Sequence, residues 1–189
     1  APADDKVIRV EHPLNLDARS QLLASILAKK ASVSATHVLV DIPVGKGAKI
    51  ESRRMAINLK KNFESIGRKL GMYMKVVLTD GSEPIGNGLG PVLEARDVLY
   101  VLRNHEYAPS DLKKKSVELA GLMLEMGKKA KKGKGNAMAL KIIESGKAYK
   151  KFMEIVKAQK GKEIDPSKIK LARFKYVVRS TKSGKIKHI

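Results

Sequence analysis

Two glycine-rich stretches are candidates for binding a phosphate or a base, and the first also carries two lysines. It reads DIPVGKGAK and begins at Asp41, directly after the apolar run Val38 to Val40. Backbone N–H groups of glycine beside a lysine can clamp a phosphate, contact a base or form a turn. A P-loop lysine must be followed by Ser or Thr to hold magnesium, but Gly47 follows Lys46 here. The P-loop hypothesis fails, which leaves base contact or a turn.

The second stretch contains Gly86, Gly88 and Gly90 in the segment DGSEPIGNGLGP. These glycines lack the full spacing of a dinucleotide-binding fingerprint. Turn geometry and close packing against the next helix explain them adequately. The chain has no cysteine, and none of its four histidines is paired at helical spacing. We therefore expect no disulfide, no metal site and no magnesium or nicotinamide cofactor.

The composition limits the class of protein. With 189 residues, 43% of them hydrophobic, the chain can bury a substantial core and has the length of one domain plus part of another. No stretch is long and apolar enough to span a bilayer, and no signal-peptide pattern opens the chain. We predict a cytoplasmic protein without a membrane partner.

The charge is strongly basic and unevenly distributed. Lys and Arg outnumber Asp and Glu by 39 to 19, and Lys128 to Ile189 alone contains 20 basic and 4 acidic residues. Such a segment indicates either nucleic-acid or anion binding, or the solvated exterior of a lysine-rich protein. Base stacking requires aromatic side chains, which make up only 4% of the chain. We therefore favour the solvated exterior and keep a basic nucleic-acid-binding protein as the alternative.

Strand-like and helical patterns alternate in the first half of the chain. Helices are predicted from Asp17 to Ala31, Ser52 to Leu70 and Pro91 to Arg103, with Pro91 at a first helical turn. Short apolar, β-branched runs predict buried strands from Thr36 to Pro43 and from Met72 to Thr79. This alternation predicts an α/β fold with a partial parallel sheet covered by helices.

The second half reads as helices followed by a short β segment. Helices are predicted from Asp111 to Met126, Ala137 to Ile143 and Lys147 to Gln159, with a linker from Ile164 to Lys170. The last residues predict two strands around Ser183 and Gly184, which we interpret as the first hairpin of a truncated domain. We assign 1–163 to a central catalytic domain and 164–189 to the linker and the beginning of a C-terminal α/β domain.

The opening residues APADDKVIRV predict neither a helix nor a strand, and the chain closes inside a predicted strand. We therefore expect a portion of a longer protein.

Five ordered motifs resemble a known family. They read APADD, LLASILAKKAS, VLVDIPVGKGAK, GSEPIGNGLGPVLEARDVL and VKAQKG. In this order they are similar to the thymidine and pyrimidine nucleoside phosphorylases, from about Ala1 to Gly161 with the trailing hairpin. Within this family the chain looks closest to the archaeal AMP phosphorylases. The nucleoside branch usually has an aromatic residue where Lys49 stands here.

The resemblance implies a glycosyltransferase (pentosyltransferase) with a nucleoside phosphorylase/phosphoribosyltransferase-like catalytic core. Inorganic phosphate, as co-substrate, would attack the anomeric carbon of ribose while the base departs. An AMP phosphorylase would convert AMP, CMP or UMP to free base and ribose 1,5-bisphosphate, whereas a thymidine phosphorylase would act on nucleosides. The resemblance also implies a homo-oligomer for the full-length protein, and it places the phosphate-binding stretch upstream of this sequence.

The resemblance implies four site residues, and each has a structural alternative. Asp17 corresponds to the catalytic acid, but it is equally natural as a helix N-cap. Ser25, Lys29 and Lys49 correspond to substrate-binding positions. A serine within a helix often bonds the carbonyl one turn back, and lysines suit a helix end or the surface. Arg9 lies one place out of register with a base-binding arginine of the nucleoside branch and remains a possibility.

Helix geometry constrains this set. Ser25 and Lys29 are one turn apart, so both can face one pocket. In an unbroken helix Asp17 would lie roughly 12 Å from Ser25. The chain should therefore bend, or begin its helix after Asp17. A general acid needs a raised pKa, so we expect Asp17 to be partly buried or close to another carboxylate.

Overall fold

The chain forms two compact units in the computed structural model, which describes residues 2–14 and 19–184. The first unit, Ala1–Ser82, combines helices with a sheet. The second unit, Glu83–Ile189, contains helices, and its described residues from 169 to 184 have irregular backbone. No helix within the described ranges is both long enough and apolar enough to cross a bilayer.

A parallel pair of strands forms the sheet in the described part of the first unit. Strand β1 (His37–Val44) pairs with β2 (Tyr73–Asp80) over the full length of both. The helix between them, labelled α3 (Arg53–Lys69), supplies the crossover that parallel strands require. The predicted α/β class with a parallel, helix-covered sheet is confirmed for this unit.

Helices α2 (Arg19–Ser32) and α3 supply the apolar side chains that cover the sheet. The hydroxyl oxygen of Ser52 accepts a hydrogen bond from the backbone N–H of Met55 and so caps the start of α3. Phe63, on the buried face of α3, is the largest fully buried side chain among the described residues. The other buried members of this core are Leu23, Leu27, Ile42, Ile50, Ala56, Leu59 and Val76.

The opening of the chain is helical, so the prediction of neither helix nor strand there was wrong. Helix α1 (Pro2–Glu11) has proline at its first position. Asp4 and Asp5 lie in its first turn and Arg9 in its last, where these charges complement the helix dipole. The proline at the first position and the charges at the two ends are the signals that could have revealed the helix.

Four helices form the second unit within the described residues. They are α4 (Pro91–Leu102), α5 (Ser110–Met126), α6 (Gly135–Glu144) and α7 (Lys147–Ala158). Pro91 is the first residue of α4, as predicted. Helices α5 and α6 approach most closely at Gly121 and Gly135, which are both buried.

The segment after α7 packs onto the helices of the second unit. The hydroxyl of Tyr149 donates a hydrogen bond to Glu163 Oε1 at 2.6 Å, and Asp165 Oδ2 lies 3.8 Å from Arg103 Nη1. Pro166 is buried at the start of a short 3-10 helix, Pro166–Lys168. The predicted linker is therefore ordered by these side-chain contacts.

The predicted terminal hairpin is absent from the described residues. Residues 169–184 contain no strand, and most of their side chains are exposed. A strand requires a hydrogen-bonding partner, and the second half of the predicted hairpin, 185–189, lies outside the described residues.

Candidate functional site

The glycine-lysine loop after β1 folds back on itself and uses its own N–H groups. Gly45 N donates to Ile50 O at 3.2 Å, and Ala48 N donates to Gly45 O at 3.1 Å. Gly47, with a φ of 82°, donates to Glu51 Oε1 at 3.1 Å. These bonds leave the loop unsuited to wrapping a phosphate, which agrees with the failed P-loop hypothesis.

The loops after the two strands lie against each other, so the carboxyl ends of β1 and β2 meet at one place. A Cβ added to Gly45 would lie 2.7 Å from Ser82 Cα, and one added to Gly81 would lie 2.7 Å from Pro43 Cβ. A larger residue at either glycine would therefore force the two loops apart. In open α/β sheets ligands bind at the carboxyl ends of the strands, so this edge is the expected place for a site.

Three side chains from α1 and α2 form a closed hydrogen-bonded triangle. The Ser25 hydroxyl donates to Asp4 Oδ2 at 3.0 Å. The Lys29 ammonium donates to Ser25 Oγ at 3.0 Å and lies 2.7 Å from Asp4 Oδ2. Ser25 and Lys29 are one helical turn apart on α2 and their side chains are in contact, whereas the prediction that both face one pocket stays a prediction.

The carboxylate of this triangle is the least exposed of its charged groups. The side chain of Asp4 is 16% exposed, whereas that of Lys29 is 48% exposed. The hydrogen bonds from Lys29 and Ser25 lower the pKa of Asp4 below its usual value. Asp4 is therefore ionised at neutral pH and holds both α2 side chains.

A cavity of about 80 Å³ opens beside this triangle. Helix α1 contributes three lining residues that are one and two helical turns apart. Helix α2 contributes Ser25, and the glycine-lysine loop contributes Lys49. The other lining residues are Asp4, Ile8, Glu11, Gln21 and Leu22. The cavity therefore brings together the Lys49 ammonium, two carboxylates and a serine hydroxyl, and Lys29 is bonded to that hydroxyl.

Lys49 also lines a second, more apolar cavity of about 210 Å³ in the same unit. Its walls come from α2, α3 and β1, and they include Ile26, Ile42 and Phe63. Lys49 thus lies between the cavity beside the triangle and this more apolar cavity. A flat heterocycle carrying polar edge groups has the mixed character that such a pair of cavities could accept.

Three of the four predicted site residues lie together, and the fourth is outside the described residues. Ser25 and Lys49 line the same cavity, and Lys29 is bonded to Ser25. Asp17 belongs to the residues that the structure does not describe, so its predicted burial stays a prediction. Arg9 is exposed on α1 and is not among the described residues that line the cavity.

Asp4 and Glu11 are site residues that sequence reasoning missed. Both are carboxylates on the face of α1 that also carries Ile8, at helical spacing. The interval of seven residues between them could have indicated a shared face, had the opening stretch been read as a helix.

The ion pair of Asp4 predicts a pH-dependent contribution to stability. Because its pKa is lowered from 3.8 in the folded state, this contribution is present above about pH 4 and is lost as the pH falls through the folded pKa. Asp4→Asn should lower the Tm at neutral pH, and this loss should become smaller as the pH falls below about 4 and Asp4 is protonated, as measured by thermal unfolding. Asp5 lies in the same helical turn but is exposed, so Asp5→Asn is the control. It should lower the Tm at neutral pH by less than Asp4→Asn does.

The second glycine cluster is bound by carboxylates of its own unit. Asp97, which is only 2% exposed, accepts hydrogen bonds from Asn87 N at 2.7 Å and Gly88 N at 2.8 Å. Two further bonds run from Gly86 N to Asp111 Oδ2 at 3.0 Å and from Gly90 N to Glu94 Oε1 at 2.9 Å. These N–H groups serve the loop itself, which supports the interpretation of the cluster as turns.

Curated relatives match nearly the whole chain. Proteins named "putative thymidine phosphorylase" are 47% identical in Legionella pneumophila (strain Corby) and in Polaromonas sp., each over 186 residues and 98% of this chain. One with the same name in Methylococcus capsulatus is 45% identical over 97% of the chain. The chain spans about a third of their length, 35%, 36% and 35% respectively. No protein-family model matches the chain. These relatives are bacterial, and their names do not refer to AMP.

Proposed function

We propose that the chain is part of a phosphorylase of the thymidine phosphorylase family, which splits an N-glycosidic bond with inorganic phosphate. The observation that carries this proposal is that Ser25 and Lys49 line one cavity and that Lys29 donates a hydrogen bond to Ser25. Their positions match the base-side residues of the family. The 47% identity to a protein named "putative thymidine phosphorylase" supports the same reaction class.

The reaction requires a proton donor and residues that bind the base. A phosphate oxygen forms a bond to the anomeric carbon while the bond from that carbon to the base nitrogen breaks. The sugar becomes cationic between two anionic groups, so the leaving base must be neutralised by a proton. We assign proton donation to Asp17 and binding of the base to Ser25 and Lys29. Inorganic phosphate is a co-substrate, and no further cofactor is required.

The substrate is either a pyrimidine nucleoside or a nucleoside 5′-monophosphate. The names of the relatives favour thymidine. Lys49 favours a nucleotide such as AMP, CMP or UMP, because it places a cation on the loop where the nucleoside branch has an aromatic residue. An ammonium group beside a polar cavity can pair with a 5′-phosphate, whereas an aromatic ring can only stack or exclude water.

Product analysis of the intact protein tests this proposal. Incubation with phosphate and thymidine should give thymine and deoxyribose 1-phosphate, whereas AMP or CMP should give ribose 1,5-bisphosphate. If nucleotides are substrates, we expect Lys49→Ala to raise their KM by about 10- to 100-fold, the loss of one charge-assisted hydrogen bond. Lys46→Ala is the matched control, because Lys46 is on the same loop but lines neither cavity.

A basic nucleic-acid-binding protein is the alternative that the charge suggests. The lysines between α5 and α6, at 128, 129, 131, 132 and 134, are all exposed. This function predicts binding to RNA or DNA of any sequence that weakens steeply with salt. Such binding, together with an absence of phosphorolysis for every nucleoside and nucleotide tested, would contradict the enzyme proposal.

A further inference from the structure

The triangle of Asp4, Ser25 and Lys29 determines which protons of the base-side residues are available to a ligand. A serine hydroxyl has one hydrogen to donate and two lone pairs that accept. Its hydrogen points to Asp4, and one lone pair accepts from Lys29. Ser25 is therefore left with one acceptor position and no donor.

The ammonium group of Lys29 also has only part of its hydrogen-bonding capacity available to a ligand. Lys29 has three N–H donors. One is directed to Ser25 Oγ and one to Asp4 Oδ2, at 3.0 Å and 2.7 Å. One donor is left for a ligand. The pair consequently offers a ligand one acceptor and one donor, side by side on α2.

We propose that Asp4 is a positioning residue that fixes this donor and acceptor pattern and thereby selects the hydrogen-bonding edge of the base. The inference rests on the proposed function and deepens it. An edge that carries one N–H and one carbonyl or ring nitrogen complements the pair, as the edges of uracil, thymine and adenine do. Without Asp4 the Ser25 hydroxyl can rotate and Lys29 loses its anchor, so the pattern is no longer defined.

Two features distinguish this role from that of an ordinary surface ion pair. First, Asp4 is only 16% exposed and lines the cavity itself, whereas exposed pairs are surrounded by water. Second, one carboxylate oxygen, Oδ2, contacts both Ser25 and Lys29. A single acceptor that contacts two partners fixes their relative position as well as their charge.

A double-mutant cycle on the intact protein tests the inference. We expect Asp4→Ala to raise the KM for the nucleoside or nucleotide by about 10- to 50-fold, in the range of a charge-assisted hydrogen bond. The kcat and the KM for phosphate should change by less than about threefold, because Asp4 acts on the base side alone. In a Lys29→Ala background, Asp4→Ala should raise the KM by less than about twofold further, since its main partner is gone.

Asp5→Ala provides the matched control. It removes the same charge from the same helical turn, but Asp5 is exposed and is not among the described cavity-lining residues. Asp4→Asn should restore part of the lost affinity, because its amide oxygen can still accept from Ser25. The inference would be wrong if Asp4→Ala raised the KM for the nucleoside or nucleotide equally in the presence and absence of Lys29. It would also be wrong if Asp4→Ala raised the KM for phosphate as much as the KM for the nucleoside or nucleotide.

Calorimetric binding of free thymine, uracil and adenine separates this inference from the proposed function. An intact protein that performs no phosphorolysis contradicts the proposed function. If that protein nevertheless binds a free base, and Asp4→Ala abolishes this binding while Asp5→Ala does not, the proposed role of Asp4 is supported. If it binds none of the bases, or binds them equally with and without Asp4, the inference is wrong.

Discussion

Gly121→Ala is expected to destabilise the second unit by about 3 kcal/mol, the upper range for overpacking a closely packed contact. A Cβ at Gly121 would lie 2.6 Å from Asn136 N and 2.8 Å from Gly135 C. Both are backbone atoms, so the clash can be relieved only if α5 and α6 separate. Alanine is a better helix former than glycine by about 1 kcal/mol, so helix propensity alone predicts that Gly121→Ala stabilises the unit. Urea unfolding followed by circular dichroism measures the difference.

Gly127→Ala serves as the control for this prediction. Gly127 ends α5 with a φ of −78°, which alanine adopts without strain. The nearest atom to its added Cβ, Met123 O, lies 3.4 Å away, at ordinary contact distance. We expect a change within about 0.5 kcal/mol. A Gly121→Ala variant that is as stable as the parent would show that the helices do not cross at this glycine.

Asp97→Ala should destabilise the same unit by about 4 kcal/mol, because it leaves two N–H groups of the glycine loop without their acceptor. Asn87 N and Gly88 N both donate to Asp97 Oδ2, and Asp97 is the buried charged side chain among the described residues. The loop should also lose its conformation. Hydrogen exchange at residues 86–90 should become fast before the helices exchange, which can be measured by mass spectrometry.

Asp97→Asn tests whether the acceptor or the charge is responsible. Its side-chain oxygen has two lone pairs and can accept from both N–H groups, so we expect a loss of only about 1 kcal/mol. Equal losses for the alanine and asparagine variants would mean that the carboxylate charge, and not the hydrogen bonds, holds the loop.

Most of the secondary structure could be predicted from local patterns. The strands predicted from Thr36 and Met72 form within one residue of those positions, and Pro91 begins α4. These signals are local: apolar periodicity, β-branched runs, caps and proline at a first turn depend on neighbours along the chain. No strand forms in residues 169–184, and the second half of the predicted terminal hairpin, 185–189, lies outside the described residues.

The candidate site was predictable only in part. The spacing of Ser25 and Lys29 indicates a shared face, and the family resemblance connects them to Lys49. Asp4 could not be found in this way, because it lies 21 residues from Ser25 along the chain and belongs to a helix that the pattern did not predict. The assignment of Asp17 stays a prediction.

The amino-acid pattern was sufficient to predict the α/β class, the alternation of helices and strands between α2 and α4, and the exclusion of a P-loop. These properties follow from residue types and short intervals along the chain. The tertiary structure decided that Asp4 joins Ser25 and Lys29, that Asp97 holds the glycine loop, and that Gly121 permits the close approach of α5 and α6. Each of these depends on the distance between atoms of different elements, and only the packing of those elements sets that distance.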